Sequence, residues 1–215
     1  MREICVRSSD SEIGAADVMS PVWQIAEEIN VETYYSGAAA PRERWFSARM
    51  IWTETALCVR FEAVQAEPMI VSNAPDLSVK AMGLWDRDVC EIFVAPDKER
   101  PQRYFEFEAA PTGEWLDVAI DMSGAERLSD WEYRSGMRAA SMIEPGRVIT
   151  SIQVPWSAFG TKPANGDVWL GNLLRCVGKE PDRGYLAWQP THTPQPNFHV
   201  PEKFGRFLFI GGDQL

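Results

Sequence analysis

Residues 103–121 begin Arg103-Tyr104-Phe105-Glu106-Phe107-Glu108-Ala109, pass through Ala110-Pro111-Thr112-Gly113, and end Glu114-Trp115-Leu116-Asp117-Val118-Ala119-Ile120-Asp121. Apolar and polar residues alternate in both halves. A period of two marks a strand that buries one face. The Pro and Gly between them supply turn chemistry, so the halves read as consecutive strands.

The same pattern extends outward in both directions. Ala48–Trp52 and Ala56–Val64 read as a hairpin about Thr53-Glu54-Thr55, with Leu57, Val59, Phe61 and Ala63 on one face. Asp88–Val94 is a further strand. Met137–Ile143 and Arg147–Val154 pair about Glu144-Pro145-Gly146, and Val168–Val177, Tyr185–Gln189 and Phe204–Ile210 complete the set. Only Val18–Asn30 and Trp156–Phe159 look helical. The pattern predicts an all-β chain of about ten strands. Each sheet must bury a face, so the expected closure is a two-sheet antiparallel β-sandwich, jelly-roll-like. Residues 1–215 read as a single domain without repeats or linkers.

Composition narrows the partners. The net charge of −10 opposes binding to nucleic acid, which needs basic residues to displace counterions, and to anionic membrane surfaces. Neutral, hydroxyl-rich ligands and divalent cations remain open. Cys5, Cys58, Cys90 and Cys176 match no zinc spacing and read as mostly buried thiols. Nine tryptophans exceed what one sandwich core needs, which leaves some for surface work. No signal peptide and no apolar run of about 18–20 residues is present, so a soluble chain of unassigned location is expected.

The alternation also predicts an unusual outer face. If Phe105, Phe107, Ala109, Leu116, Val118, Ile120, Cys90, Ile92 and Val94 line the core, then Glu91, Glu106, Glu108, Trp115 and Asp117 crowd the opposite side. Like charges across strands repel. They need donors, cations or a ligand, and Arg87, Arg175 and Lys179 are candidates, with Asn172 near Arg175. A proline-rich loop, Pro190–Pro201, carries His192, Asn197, Phe198 and His199 behind Trp188. Two histidines seven residues apart make no metal motif.

Several of these segments resemble family 9 carbohydrate-binding modules. Trp85-Asp86-Arg87-Asp88-Val89-Cys90-Glu91-Ile92-Phe93-Val94 is similar to that family's Trp-to-Glu-Ile-Phe strand. Tyr104–Glu108 with Thr112-Gly113, Val154–Gly160, and Asn197–Pro201 leading to Phe204-Gly205 and Phe207-Leu208-Phe209 resemble its later segments in the same order. The resemblance spans roughly residues 40–211 and implies a β-sandwich that binds sugars beside glycoside hydrolases. It implies two tryptophans sandwiching a sugar that a glutamate and an amide hydrogen-bond. In the resemblance Trp85 takes the place of the first tryptophan, Glu91 of the glutamate and Asn197 of the amide. Phe198 and His199 stand where the second tryptophan is expected, and Trp188 is a further candidate. The resemblance also implies structural calcium, with ligands it does not place.

Two functions follow from different classes. One is a non-catalytic module that binds mono- or oligosaccharides and requires no cofactor. The other is a glycoside hydrolase using Glu91 with Glu106 or Glu108, which needs carboxyls about 5–5.5 Å or 6.5–9.5 Å apart. The candidate ligand-binding set is Trp85, Glu91, Glu106, Glu108, Trp115, Asn172, Arg175, Trp188, His192, Asn197, Phe198 and His199, with metal ligands and oligomeric state unassigned. One constraint stands out. Trp85 and Glu91 lie about 20 Å apart on an extended chain, so they share a ligand only if the chain before Asp88 folds back.

Overall fold

The computed structural model describes residues 1–211. In chain order the strands are β1 (Glu3–Ser8), β2 (Ile29–Val31), β3 (Phe46–Trp52), β4 (Ala56–Val64), β5 (Val89–Ala95), β6 (Arg103–Ala109) and β7 (Trp115–Asp121). They continue with β8 (Leu128–Asp130), β9 (Arg138–Glu144), β10 (Arg147–Pro155), β11 (Val168–Val177), β12 (Gly184–Ala187) and β13 (Gly205–Ile210). Helical structure among the described residues is confined to short 3-10 turns.

The expected helix over Val18–Asn30 does not form. Ser20 Oγ and Pro21 start a 3-10 turn that stops at Ile25, because Ala26 is extended (ψ 145°). The chain then enters β2, whose β-branched Ile29 and Val31 alternate with Asn30 and pair with β3. Branched side chains that alternate suit a pleated edge better than a helix. The short turn expected at Trp156 is present, at Trp156–Ala158.

Hydrogen bonds link the strands in one path, β8-β7-β6-β5-β11-β13-β1-β3-β4-β10-β9, with β12 on β11 and β2 on β3. Most pairs are antiparallel. β1 runs parallel to both β13 and β3, so the sheet is mixed. This differs from the expected pair of separate antiparallel sheets. The N-terminal and C-terminal strands lie side by side and join the two halves into a single curled sheet.

The curl brings one face of each half together. Phe46, Ala48, Met50, Leu57, Val59 and Phe61 of β3 and β4 share a core with Cys90, Ile92 and Val94 of β5 and Phe107 and Ala109 of β6. Both outer faces are covered as well. Val89, Phe93, Tyr104, Leu116, Val118, Leu174 and Cys176 pack with Phe198 and Phe204 outside β5–β7 and β11. Ile13, Trp23 and Ala26 pack on Ile51 and Cys58 outside β3 and β4. All four cysteines are free thiols.

Candidate functional site

The constraint on Trp85 is met by a local fold-back. Gly83 has φ 72°, a left-handed conformation that costs glycine little, and it turns the chain into the Leu84–Asp86 turn. Leu84 is buried in the outer cluster. Arg183 fastens the turn from outside. Its Nη1 donates to the carbonyls of Asp86 and Gly178, and its Nη2 to those of Trp85 and Arg87. Buried Asp88 anchors the exit: Oδ1 accepts from Gly178 N at 2.7 Å, and Oδ2 accepts from Ile70 N and Gln65 Nε2 at 3.2 Å. Trp85 and Glu91 consequently line one cleft of about 350 Å³.

Three groups of residues shape this cleft. Trp85 and Trp131 stand at one side, 38% and 37% exposed, with ring centroids 5.8 Å apart and planes 38° apart. Asn197, Phe198 and His199 come from the proline-rich loop, and Arg127, Ser129 and Tyr185 complete the walls. Glu91, Phe93, Glu106 and Cys176 form the floor.

The floor is electrostatically unusual. Register pairs Glu91 with Glu108 and Phe93 with Glu106, so all three carboxyls point to the cleft face of β5 and β6. One oxygen from each lies within 4.8 Å of the others. Glu91 and Glu106 reach the cleft, whereas Glu108 lies behind them at 0% exposure, where its hydrogen-bonding neighbour among the described residues is the carboxyl of Glu106 and no donor of positive charge reaches it. Burial pushes all three carboxyls above the usual range. Glu106 raises Glu91 further, and Glu91 and Glu106 together raise Glu108. Three like charges out of water cannot all be ionised without compensation. The Cys176 thiol, raised by burial and then by Glu91, donates to Glu91 Oε1 at 3.3 Å.

His199 is held neutral. Burial, and then the charge of Arg127, lowers it to about 3. Its ring stacks on Phe93 at 5.2 Å, its Nδ1 pairs with the Tyr104 hydroxyl at 2.7 Å, and its Nε2 lies 3.9 Å from Glu106. Asn197 is exposed and lines the cleft, and its Oδ1 accepts from His199 N at 3.0 Å.

The structure gathers Trp85, Glu91, Glu106, Asn197, Phe198 and His199 at this cleft, with Glu108 behind it. It places five other candidates elsewhere. Trp115 sits on the opposite face, because β7 pairs Leu116 with Glu108 and Val118 with Glu106. That reverses the expected parity: Leu116 and Val118 face the cleft side, and Trp115 packs toward the main core with Nε1 donating to Leu77 O. Asp117 turns the same way and pairs with Lys80 at 2.7 Å. Arg175, opposite Cys90, donates to the Arg44 carbonyl and to the Gln65 side chain, both at 2.7 Å, away from the cleft. Asn172 binds both backbone groups of Gln189 at 2.9 Å. Trp188 is core, stacked on Phe207 at 5.9 Å and lying against Gly205, where a Cβ would collide with its indole. His192 adopts φ 57° and pairs with Ser36 O at 2.9 Å.

Trp131, Arg127, Ser129 and Tyr185 escaped the sequence reading. For Trp131 a signal existed. It stands in Ser129-Asp130-Trp131-Glu132, a polar stretch with no alternating apolar neighbours that would mark a core position. Phe198, expected as a plate, is buried beneath the cleft against Tyr185.

The sequence model of the family described as "Carbohydrate family 9 binding domain-like" matches residues 15–211. No curated protein matches this sequence. Among solved structures, a candidate carbohydrate-binding protein from Bacteroides uniformis ATCC 8492 is similar at 18% identity and TM-score 0.77, over 97% of this chain and 99% of that one. A family 9 carbohydrate-binding module from Caldicellulosiruptor kristjanssonii, solved with cellotriose, is similar at 15% identity and TM-score 0.70, over 99% of this chain and 95% of that one. The same description with glucose bound gives 16% identity and TM-score 0.70, over 100% and 99%.

Proposed function

This chain belongs to the carbohydrate family 9 binding domain-like proteins, and on that footing we propose that it is a single-domain, non-catalytic module that binds mono- or oligosaccharides in the Trp85–Trp131 cleft. The observation that carries the reading is two half-exposed indoles beside buried carboxyls and an exposed amide. A sugar presents a C–H face to an aromatic ring and hydroxyls to polar groups, and a largely preformed concave site with few polar groups suits it. Trp85 and Trp131 supply the plates, while Glu91, Glu106 and Asn197 accept or donate at the hydroxyls. The ligands printed for the similar structures, glucose and cellotriose, name the class to try first.

The indoles form a wedge rather than a slot. A ring between two plates needs two contacts of about 3.5–4.0 Å, more than the 5.8 Å between centroids allows. The ring therefore stacks on the open face of the wedge, or one indole turns aside to admit it. The two halves of the curled sheet serve as the layers of a jelly-roll-like sandwich. Support for carbohydrate breakdown beside a hydrolase fits this role. The calcium implied by the family resemblance finds an all-oxygen donor set in the acidic floor.

Titration calorimetry of the purified chain with glucose and cello-oligosaccharides tests the reading. Saturable binding that Trp85→Ala weakens supports it, and no binding to any sugar of a broad glycan panel overturns it. The hydrolase alternative is separated by reducing-sugar release over the same panel. Turnover by wild type that Glu91→Gln abolishes would replace a binding module with an enzyme.

A further inference from the structure

We propose that Lys80 is a positioning residue of the sugar site: its buried ammonium ties the backbone of Trp131 to the segment that carries Trp85, and so sets the spacing and tilt of the two plates. The effect on sugar rests on the carbohydrate reading above; the tie between the plates does not.

Lys80 stands five residues before Trp85, on the chain that leads into the Gly83 turn. Its neighbour Ala81 fixes that chain to the sheet, donating from N to the Trp115 carbonyl at 2.9 Å. Lys80 Nζ donates to the carbonyls of Trp131 at 3.1 Å, Tyr133 at 2.8 Å and Asp117 at 2.5 Å, and it lies 2.7 Å from Asp117 Oδ1. The side chains of Lys80 and Asp117 are 6% and 0% exposed. Asp117 holds the far end of the same loop, because its Oδ2 accepts from Ser135 N at 2.7 Å and from Ser135 Oγ at 2.6 Å. One buried ion pair grips the loop at both Trp131 and Ser135.

Neutralising Asp117 does not account for this arrangement. An ammonium has three protons, and one aimed at the carboxylate balances the charge. The others go to the loop that presents Trp131. Taking a lysine out of water is costly unless its protons find acceptors, so the two loop carbonyls help hold the ammonium and are fixed by it in turn. Arg134 also donates to the Trp131 and Tyr133 carbonyls, but from three and one positions away, so it shapes the loop without linking it to the Trp85 segment. Lys80 reaches Trp131 across 51 positions. Trp85 is held likewise, since Arg183 donates to its carbonyl at 2.7 Å. Each plate is pinned by a cation at its own carbonyl, and Lys80 is the cation that joins the two plate-bearing segments. Placement governs affinity here, because a gap of about 0.5–1 Å forfeits a quarter to a half of a stacking contact.

The test uses the full chain with Lys80→Met, which keeps most of the side chain's length and removes the charge. Affinity for cellotriose, or for the tightest sugar of the glycan panel where that is another, is measured by calorimetry. The coupling of the two indoles is read as the far-ultraviolet circular dichroism couplet, defined as the part of the spectrum that Trp131→Ala removes. Expected are losses of at least about fivefold in affinity and about half of the couplet. In a Trp131→Ala background, Lys80→Met should cost less than about twofold further, since a residue that acts through Trp131 has nothing left to place. Arg134→Met should stay within about twofold of wild type. If Lys80→Met fails to fold because Asp117 is left unpaired, Lys80→Met combined with Asp117→Asn replaces it, with the same expectations. A lysine that only supports the fold would lower the melting temperature and leave couplet and affinity as in wild type, and that result would overturn the proposal. So would an affinity loss of equal size with and without Trp131, or a loss in Arg134→Met as large as that in Lys80→Met. Wild type that binds no sugar of the panel sinks the carbohydrate reading, and the couplet alone then decides whether Lys80 places the plates.

Discussion

The two outer faces of the curled sheet are both covered, but in different ways. Outside β3 and β4, the segment bearing Ile13, Trp23 and Ala26 lies flat on Ile51 and Cys58. The long polar side chains there reach backbone partners, although the buried Ser151 Oγ on the same face finds none among the described residues. Arg49 Nη1 donates to Ala26 O and Arg60 Nε to Val18 O, both at 2.7 Å, and Gln153 Nε2 donates to Ile13 O at 2.8 Å. Outside β5 and β6, Phe198, Phe204 and Leu84 cover only part of the face and leave a cleft above three carboxyls, one of which meets only another carboxyl among the described residues. Burial with every group satisfied stabilises a fold. Burial that leaves charges unmatched destabilises it, and such a patch persists where a ligand or ion supplies the match.

The sharpest way to break this comparison is to damage the better-matched face. Trp23→Ala removes a buried indole whose Nε1 donates to Asp17 O at 3.0 Å. The expected cost is about 3–5 kcal/mol of stability. For a chain of this size that is a fall of at least about 6 °C in Tm. A thermal melt matching wild type would show that this cover is ornamental.

The cleft should respond in the opposite sense. Trp85→Ala and Trp131→Ala should each weaken sugar binding by about thirtyfold, about 2 kcal/mol, as exposed plates at the centre of a site do. Their melting temperatures should move less than that of Trp23→Ala. If Trp131→Ala binds sugar normally, the second plate is not where the structure suggests. A smaller effect is expected at the floor. Glu91→Gln keeps a hydrogen-bonding group and loses a charge, so calorimetry should show a loss of about 1–2 kcal/mol. The smallest effects belong to residues the fold carries away from the cleft. Affinity in Trp115→Ala and His192→Ala should stay within about twofold of wild type, a difference of about 0.4 kcal/mol; a larger loss in either would mean that the cleft is drawn too small.

Part of this was legible along the chain. Period-two alternation gave the strands of residues 46–64, 88–121 and 138–155, and the parity of β5 and β6 put Glu91, Glu106 and Glu108 on one face. It failed at β7 because both faces of that half-sheet are buried, so Leu116 and Val118 could be apolar without facing the main core. It also failed to separate Trp131 from the core tryptophans, since an indole serves equally as ballast or as plate.

The sequence by itself determined local matters: an all-β chain, its turns, and side chains that share a strand face, because these depend on spacing and backbone preference. Only the tertiary structure decided which charges find partners. Asp117 meets Lys80 across 37 positions, Arg183 folds Trp85 back across 98, and among the described residues Glu108 meets only the carboxyl of Glu106. Such meetings depend on how the sheet curls and which loops land on it, and nothing in the local alternation of residues encodes them.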